Sequence, residues 1–221
     1  MLDFKFEILK TAYPMLCQGV WATAKVVFFS FILAMLFGLI VGVARYRSRS
    51  LYLLFSPYVE FFRGTPLLIQ LFFIYYGLPT IGISMDSFTA ACLGLGLNGG
   101  AYISEIIRGS LLSVDQDQLE ASYALGLTWF QSMVYVIFPQ AFTVAIPPLV
   151  NSFSSLLKDT SLVSVLAITE LTRVGQLIYT RTFRAFEIYL AIGMLYFMMT
   201  FVMTLLSKYL EKKYKVQGRI S

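Results

Sequence analysis

The stretch GVWATAKVVFFSFILAMLFGLIVGV, residues 19–43, decides the fold class. Lys25 is its only charged residue. As a helix the run rises about 37 Å, more than the roughly 30 Å hydrocarbon core of a bilayer. Lys25 lies near the start, where its long side chain reaches back to the headgroups and needs no functional explanation. Ala34, Gly38 and Gly42 recur every four residues, which predicts a narrow face for close approach of a second helix.

The rest of the chain has the same character. Of 221 residues, 58% are hydrophobic and 13% charged, against about 45–50% and about 25% in soluble domains. Lipid must cover part of that apolar surface, and the length allows five or six crossings with no separate soluble domain; residues 1–221 are read as one transmembrane unit. The net charge is +5, but the cations sit in short clusters beside apolar runs, as at Arg45, Arg47 and Arg49, and not as a stripe that would follow nucleic acid. Cys17 and Cys92 have no CxxC spacing and the chain has no histidine, so both read as small buried hydrophobes without a metal. Residues 1–18, with Asp3, Lys5, Glu7 and Lys10, show no cleavage pattern and are expected at the membrane surface.

Outward from the first span, Pro57, Glu60, Arg63, Gly64 and Pro66 interrupt the next apolar stretch. Residues 51–63 read as an interfacial helix, with Glu60 and Arg63 an i, i+3 ion pair, feeding a second span over 64–78. A loop over 80–87 without Lys or Arg precedes a third span over 88–112. A fourth apolar region covers 134–157 and breaks at Lys158-Asp159-Thr160-Ser161. The last span covers 188–206, before a basic tail with Lys208, Lys212, Lys213, Lys215 and Arg219. Placing both the Arg45–Arg49 loop and the tail in the cytoplasm gives five spans, with the N-terminus outside and the C-terminus cytoplasmic. Lys158, Arg173, Arg181 and Arg184 fit this scheme badly, but a sixth crossing over 162–178 would put the basic tail outside.

Gly94, Gly96 and Gly99 match GxGxxG. Inside a membrane span, with no strand before them, they predict close helix packing rather than dinucleotide binding. No GxxxxGK[ST] occurs, so the chain itself has no ATP site and is not expected to be an enzyme. More informative is the polar connector 113–139. Residues 116–125 form a short helical pattern with acidic residues near its start, closed by Gly126. Glu120-Ala121-Ser122 is followed after three residues by Gly126, and after nine more by Val136-Ile137-Phe138-Pro139.

That spacing resembles the EAA loop of ABC importer permeases, with Ser122 in place of the second Ala, Val136 of the Ile and Phe138 of the Leu. Tyr58-Val-Glu60-Phe-Phe-Arg63-Gly64-Thr65-Pro66, Asn98-Gly-Gly-Ala-Tyr102-Ile-Ser104-Glu105-Ile-Ile-Arg108-Gly109 and Lys158-Asp159-Thr160-Ser161-Leu162 are similar to the polar amino acid (histidine and glutamine type) branch. The resemblance implies an all-α type I importer transmembrane domain in a bacterial or archaeal inner membrane. It implies that Glu120, Ala121, Ser122 and Gly126 sit at a coupling helix docked on a cytoplasmic ATPase. The expected partners are two ABC ATPases carrying ATP and Mg, a second permease (an identical copy or a paralogue) and an external substrate-binding protein.

Ionisable groups inside a membrane usually face a protein interior or a wet path. Asn98, Tyr102 and Glu105, spaced i, i+4, i+7, share one helix face. That face lines either a translocation path or an interhelical hydrogen-bond set. Asp159, Thr160 and Ser161, at a polar break, are assigned to the pathway or gate. A channel or secondary transporter would not need the EAA-type loop, and no internal repeat of the latter kind is visible. An intramembrane enzyme lacks its residues.

Overall fold

The computed structural model describes residues 6–214, all of whose regular structure is helical. Helix α1 covers Phe6–Arg47, α2 Arg49–Gly64 and α3 Leu67–Phe72, which continues through a π turn (Phe73–Gly77) and a 3-10 turn (Leu78–Ile81). Helix α4 covers Ser87–Leu112, α5 Gln116–Ala124 and α6 Trp129–Ser132. The latter runs through a π turn into α7, Phe138–Asp159, and ends in a 3-10 arm, Thr160–Leu166. Helices α8, Leu171–Thr182, and α9, Ala185–Tyr214, complete the chain. Among the described residues, four helices are long and apolar enough to cross a membrane: Glu7–Arg47, Ser87–Leu112, Trp129–Leu166 and Ala185–Leu210. The α2–α3 pair, bent by 106°, makes the count five if taken as one span.

Several expectations change. Residues 6–18 do not form a separate surface segment but extend α1, because Ala12 and Leu16 are buried against Leu171, Ile178, Ile188 and Ile192. Cys17 is exposed, while Cys92 is buried. Residues 162–178 form no sixth span, since they divide between the 3-10 arm and α8 at Ala167, whose φ is +60°. Lys208 and Lys212 extend α9 rather than a separate tail; Lys215 and Arg219 lie outside the described residues.

The centre of the bundle is the seam between α1 and α4, which run parallel, Phe29 meeting Phe88 and Gly42 meeting Ser104 and Ile107. A Cβ on Gly38 would collide with Ile103 Cγ2, and one on Gly42 would lie 2.7 Å from the Ser104 carbonyl oxygen. From the other side, Gly96 and Gly99 lie against Leu33 and Ala34, and Gly94 against Leu71 of α3. The glycines of the GxGxxG match therefore do serve helix packing. Helix α7 returns antiparallel to α4: Phe138 and Ala141 lie near Leu111, and Leu156 near Leu95.

A second polar joint holds the outer elements together. Glu170, fully buried, caps α8 by accepting from the N–H groups of Thr172 (2.9 Å) and Arg173 (2.8 Å) and from the Tyr196 hydroxyl on α9 (2.8 Å). The Leu171 N–H donates to Thr23 Oγ1 of α1 at 3.1 Å. Burial pushes the Glu170 carboxyl above its ordinary range, against the pull of its donors.

Gly42→Leu is expected to destabilise the protein by about 1–3 kcal/mol, because a backbone carbonyl cannot yield to the new side chain. Gly109→Leu, with nothing within 4 Å of its Cβ, should leave thermal unfolding in detergent unchanged. Glu170→Ala strands three donors and should cost about 1–3 kcal/mol, while Glu170→Gln keeps an acceptor and should cost less. Because the folded carboxyl holds its proton more tightly than the unfolded one, its contribution is full below the ordinary carboxylate pKa. It fades as pH rises through the folded value, and in Glu170→Gln this part of the pH dependence should vanish from the unfolding profile.

Candidate functional site

The 106° bend between α2 and α3 leaves carbonyls of the last α2 turn without helical partners. Gln70, buried on α3, supplies them: Nε2 donates to the Phe62 carbonyl (2.9 Å), the Thr65 carbonyl (3.0 Å) and Thr65 Oγ1 (2.8 Å). Asn98 Nδ2 on α4 donates to the Phe62 carbonyl (2.9 Å) and to Gln70 Oε1 (3.0 Å). The bend is thus fixed by two side-chain amides, and Thr65, Pro66 and Leu67 are held as a rim.

Beside this rim lies a cavity of about 620 Å³ between the bend, α4 and α7. Its polar lining is Thr65, Asn98, Tyr102, Asn151, Ser152, Ser155 and Asp159. Of the residues singled out in the sequence, Asn98, Tyr102 and Asp159 meet here. Thr160 and Ser161 do not: Thr160 is buried with its hydroxyl donating to the Leu157 carbonyl (2.7 Å), and the Ser161 carbonyl accepts from Ser164 (2.8 Å). The Thr160 hydroxyl and the Ser161 carbonyl are thus engaged within the 3-10 arm. The sequence reading missed Asn151, Ser152 and Ser155, whose signal is the polar series 151, 155, 159 along one face of an apolar helix. Pro147 and Pro148 interrupt the hydrogen-bond ladder of α7 near the same cavity, which Pro148 lines.

Glu105 also lies off the cavity lining. It pairs with Arg45 of α1, with Arg108 (3.0 Å) and, at 4.0 Å, with Arg63. Arg45 Nη2 further donates to Ser56 Oγ at 3.2 Å. The cluster ties α1, α2 and α4 together at one end of the bundle. The Glu60–Arg63 pair expected from spacing is not formed among the described residues, because Arg63 turns toward Glu105 and stacks on Tyr102, 5.3 Å from its ring centroid.

At the same end, α5 connects α4 to α6. Asp115 caps it, accepting from the Asp117 N–H at 3.2 Å. It closes on Gly126 with φ +80°: the Gly126 N–H donates to the Tyr123 carbonyl (2.9 Å) and the Leu127 N–H to the Ser122 carbonyl (3.1 Å). Glu120, Ala121 and Gly126 are exposed, beside Leu125 and Phe130. Ser122 faces inward, buried, its hydroxyl donating to the Leu119 carbonyl (2.6 Å) and lying 2.7 Å from the Ser132 hydroxyl. It anchors α5 to α6 instead of presenting itself outward. Arg47, at the end of α1, stacks on Trp129 of α6 at 4.6 Å.

Residues 34–216 match the family model described as "Binding-protein-dependent transport system inner membrane component". The L-cystine transport system permease protein TcyB of Bacillus subtilis is 41% identical over 208 residues, 93% of this chain and 89% of that one. The glutamine transport system permease protein GlnP of Escherichia coli is 36% identical over 221 residues, 97% of this chain and 100% of that one. A crystal structure of an amino acid ABC transporter with histidines has a TM-score of 0.89 at 37% identity, covering 96% of this chain and 100% of that chain. The MetNI methionine ABC transporter, in an inward-facing form, shares the fold at a TM-score of 0.79 and 22% identity, over 90% of this chain and 96% of that one. The chain belongs to this family of inner membrane components of binding-protein-dependent transport systems, as a permease subunit of an amino-acid ABC importer.

Proposed function

We propose that this permease passes polar amino acids inward through the cavity beside the α2–α3 bend, and that α5 is the lever through which a cytoplasmic ATPase moves its walls. One observation carries the reading. Helix α5 lies between α4 and α6–α7 in the chain, and those are the two elements that line the cavity with Asn98 and Tyr102 on one side and Asn151, Ser152, Ser155 and Asp159 on the other. A push on α5 therefore acts on both walls at once. The exposed Glu120, Ala121, Leu125 and Gly126 offer a small-residue, partly apolar surface that suits a protein groove.

Five spans enclose a polar path poorly, so a second permease, identical or paralogous, completes it. Two ATPases binding ATP and Mg clamp against the coupling helices and turn the spans outward-facing. An external binding protein then releases its amino acid to the cavity, and hydrolysis restores the inward-facing form. Arg45, Arg47 and Arg49 lie at the α5 end of the bundle, which supports placing that end in the cytoplasm, the N-terminus outside and the whole in the cell's inner membrane. The amide, hydroxyl and carboxylate lining suits a polar cargo, and the names of the glutamine and cystine permeases support that class.

Gly126→Trp combines a strained backbone with a large side chain on the docking face. It should insert normally yet lose ATPase association and ATP-driven uptake. Gly126→Asn tolerates a positive φ and should retain both; normal uptake by the Trp variant would remove the lever. Ser155→Trp fills the cavity without touching α5. It is expected to cut uptake by about tenfold or more, a barrier change of about 1.4 kcal/mol, while ATPase association stays intact. Loss of association and uptake together in Ser155→Trp would argue against a separate path and lever.

A further inference from the structure

The geometry points to a binding site for the phosphodiester headgroup of an anionic phospholipid, built around Tyr52 where α1 ends, α2 begins and α4 passes. Three guanidinium groups gather at the Tyr52 ring: Arg45 at 4.5 Å from the centroid, Arg108 at 5.7 Å and Arg49 at 6.0 Å. Arg63 lies 4.0 Å from Glu105, the carboxylate that also pairs with Arg45 and Arg108. Four cations thus converge where one anion answers them, and exposed Glu60 forms no ion pair with any of them among the described residues.

Arg49 and Arg63 are exposed, but part of the cluster is shielded from water. The Arg45 side chain is only 3% exposed, and the Nε atoms of Arg45 and Arg108 are buried with no hydrogen-bond partner among the described residues. Unanswered guanidinium donors at such a depth are costly. Helix α2 adds to the imbalance. Its first turn has no acidic residue, and Arg49 occupies its first position, where the helix dipole disfavours a cation. An anion with several oxygens answers all of these features together, and a phosphodiester fits the planar donor forks of arginine.

The neighbouring surface favours a lipid over free phosphate or an acidic protein segment. Leu53 and Leu54, directly after Tyr52, are 58% and 67% exposed, which gives acyl chains a contact beside the charged site. Arg47 stacked on Trp129 at this end of the bundle is the pairing found where helices leave a bilayer. Tyr52, Arg45, Arg49 and Arg108 lie outside the cavity lining and the exposed face of α5, and only Arg63, stacked on Tyr102, reaches toward the cavity.

The test is native mass spectrometry of the purified chain after exchange into mixed phosphatidylglycerol and phosphatidylcholine. Wild type should retain phosphatidylglycerol selectively. Arg49→Gln, an exposed position with no part in the cavity or lever, should weaken that retention about fivefold, the worth of one arginine at an anionic surface. Arg49→Lys should retain most of it. Equal retention of the two lipids by wild type, or unchanged selectivity in Arg49→Gln, would overturn the site. Displacement of the lipid by inorganic phosphate would overturn the lipid assignment and leave a free-phosphate site.

Discussion

In hydrocarbon a backbone N–H or carbonyl without a partner costs several kcal/mol, and this constraint governs where the chain may stop being a regular helix. Three breaks among the described residues are filled by side chains. The 106° bend after Gly64 is closed by the amides of Gln70 and Asn98. The start of α8 is closed by Glu170 and by the Thr23 hydroxyl. The 3-10 arm after Asp159 is closed by the hydroxyls of Thr160 and Ser164. At these three places the irregular backbone is buried by protein or borders the polar cavity.

The same constraint sorts polar side chains into two groups. Asn98, Gln70, Glu105, Glu170 and Thr160 have their hydrogen-bonding capacity committed to the scaffold. Asn151, Ser152, Ser155 and Asp159 lie on one face of α7 and turn that face toward open space. The cavity arises because a helix carrying hydrogen-bonding groups opposes a bend whose own polar groups are already satisfied. Asn98 belongs to both groups, bordering the cavity while holding the bend.

Mechanical linkage follows from the two seams. Small residues bring α1 and α4 into close contact, the Arg45–Glu105 pair ties the same two helices, and Ser56 and Arg63 join α2 to them through Arg45 and Glu105. Helix α7 is joined to that unit by an apolar core that includes Ile107, Leu111, Met133, Ala141 and Ala145. Such packing slides more readily than hydrogen-bonded contacts part. Helix α5, fastened inward by Ser122 and Leu119, spans the boundary between the two parts.

The class of the protein, the third span and the short helix closed by glycine are legible in the chain without its fold. Apolar runs of about 20 residues, glycines every four, and a capped helix closed by glycine are local signals, set by solvent and backbone geometry alone. The third span, expected over 88–112, is Ser87–Leu112, and the short helix expected over 116–125 is Gln116–Ala124. What each polar residue does depends on the partners that folding brings to it. Residues 98, 102 and 105 share a face by periodicity, yet Glu105 is drawn to arginines 60 and 42 positions back in the chain, while Tyr102 borders the cavity. Ser122 sits in an outward-looking motif but points inward because Ser132 is there to meet it. Partners this distant in sequence leave no local pattern, since a side chain's commitment depends on which remote donor or charge the fold brings within about 3 Å.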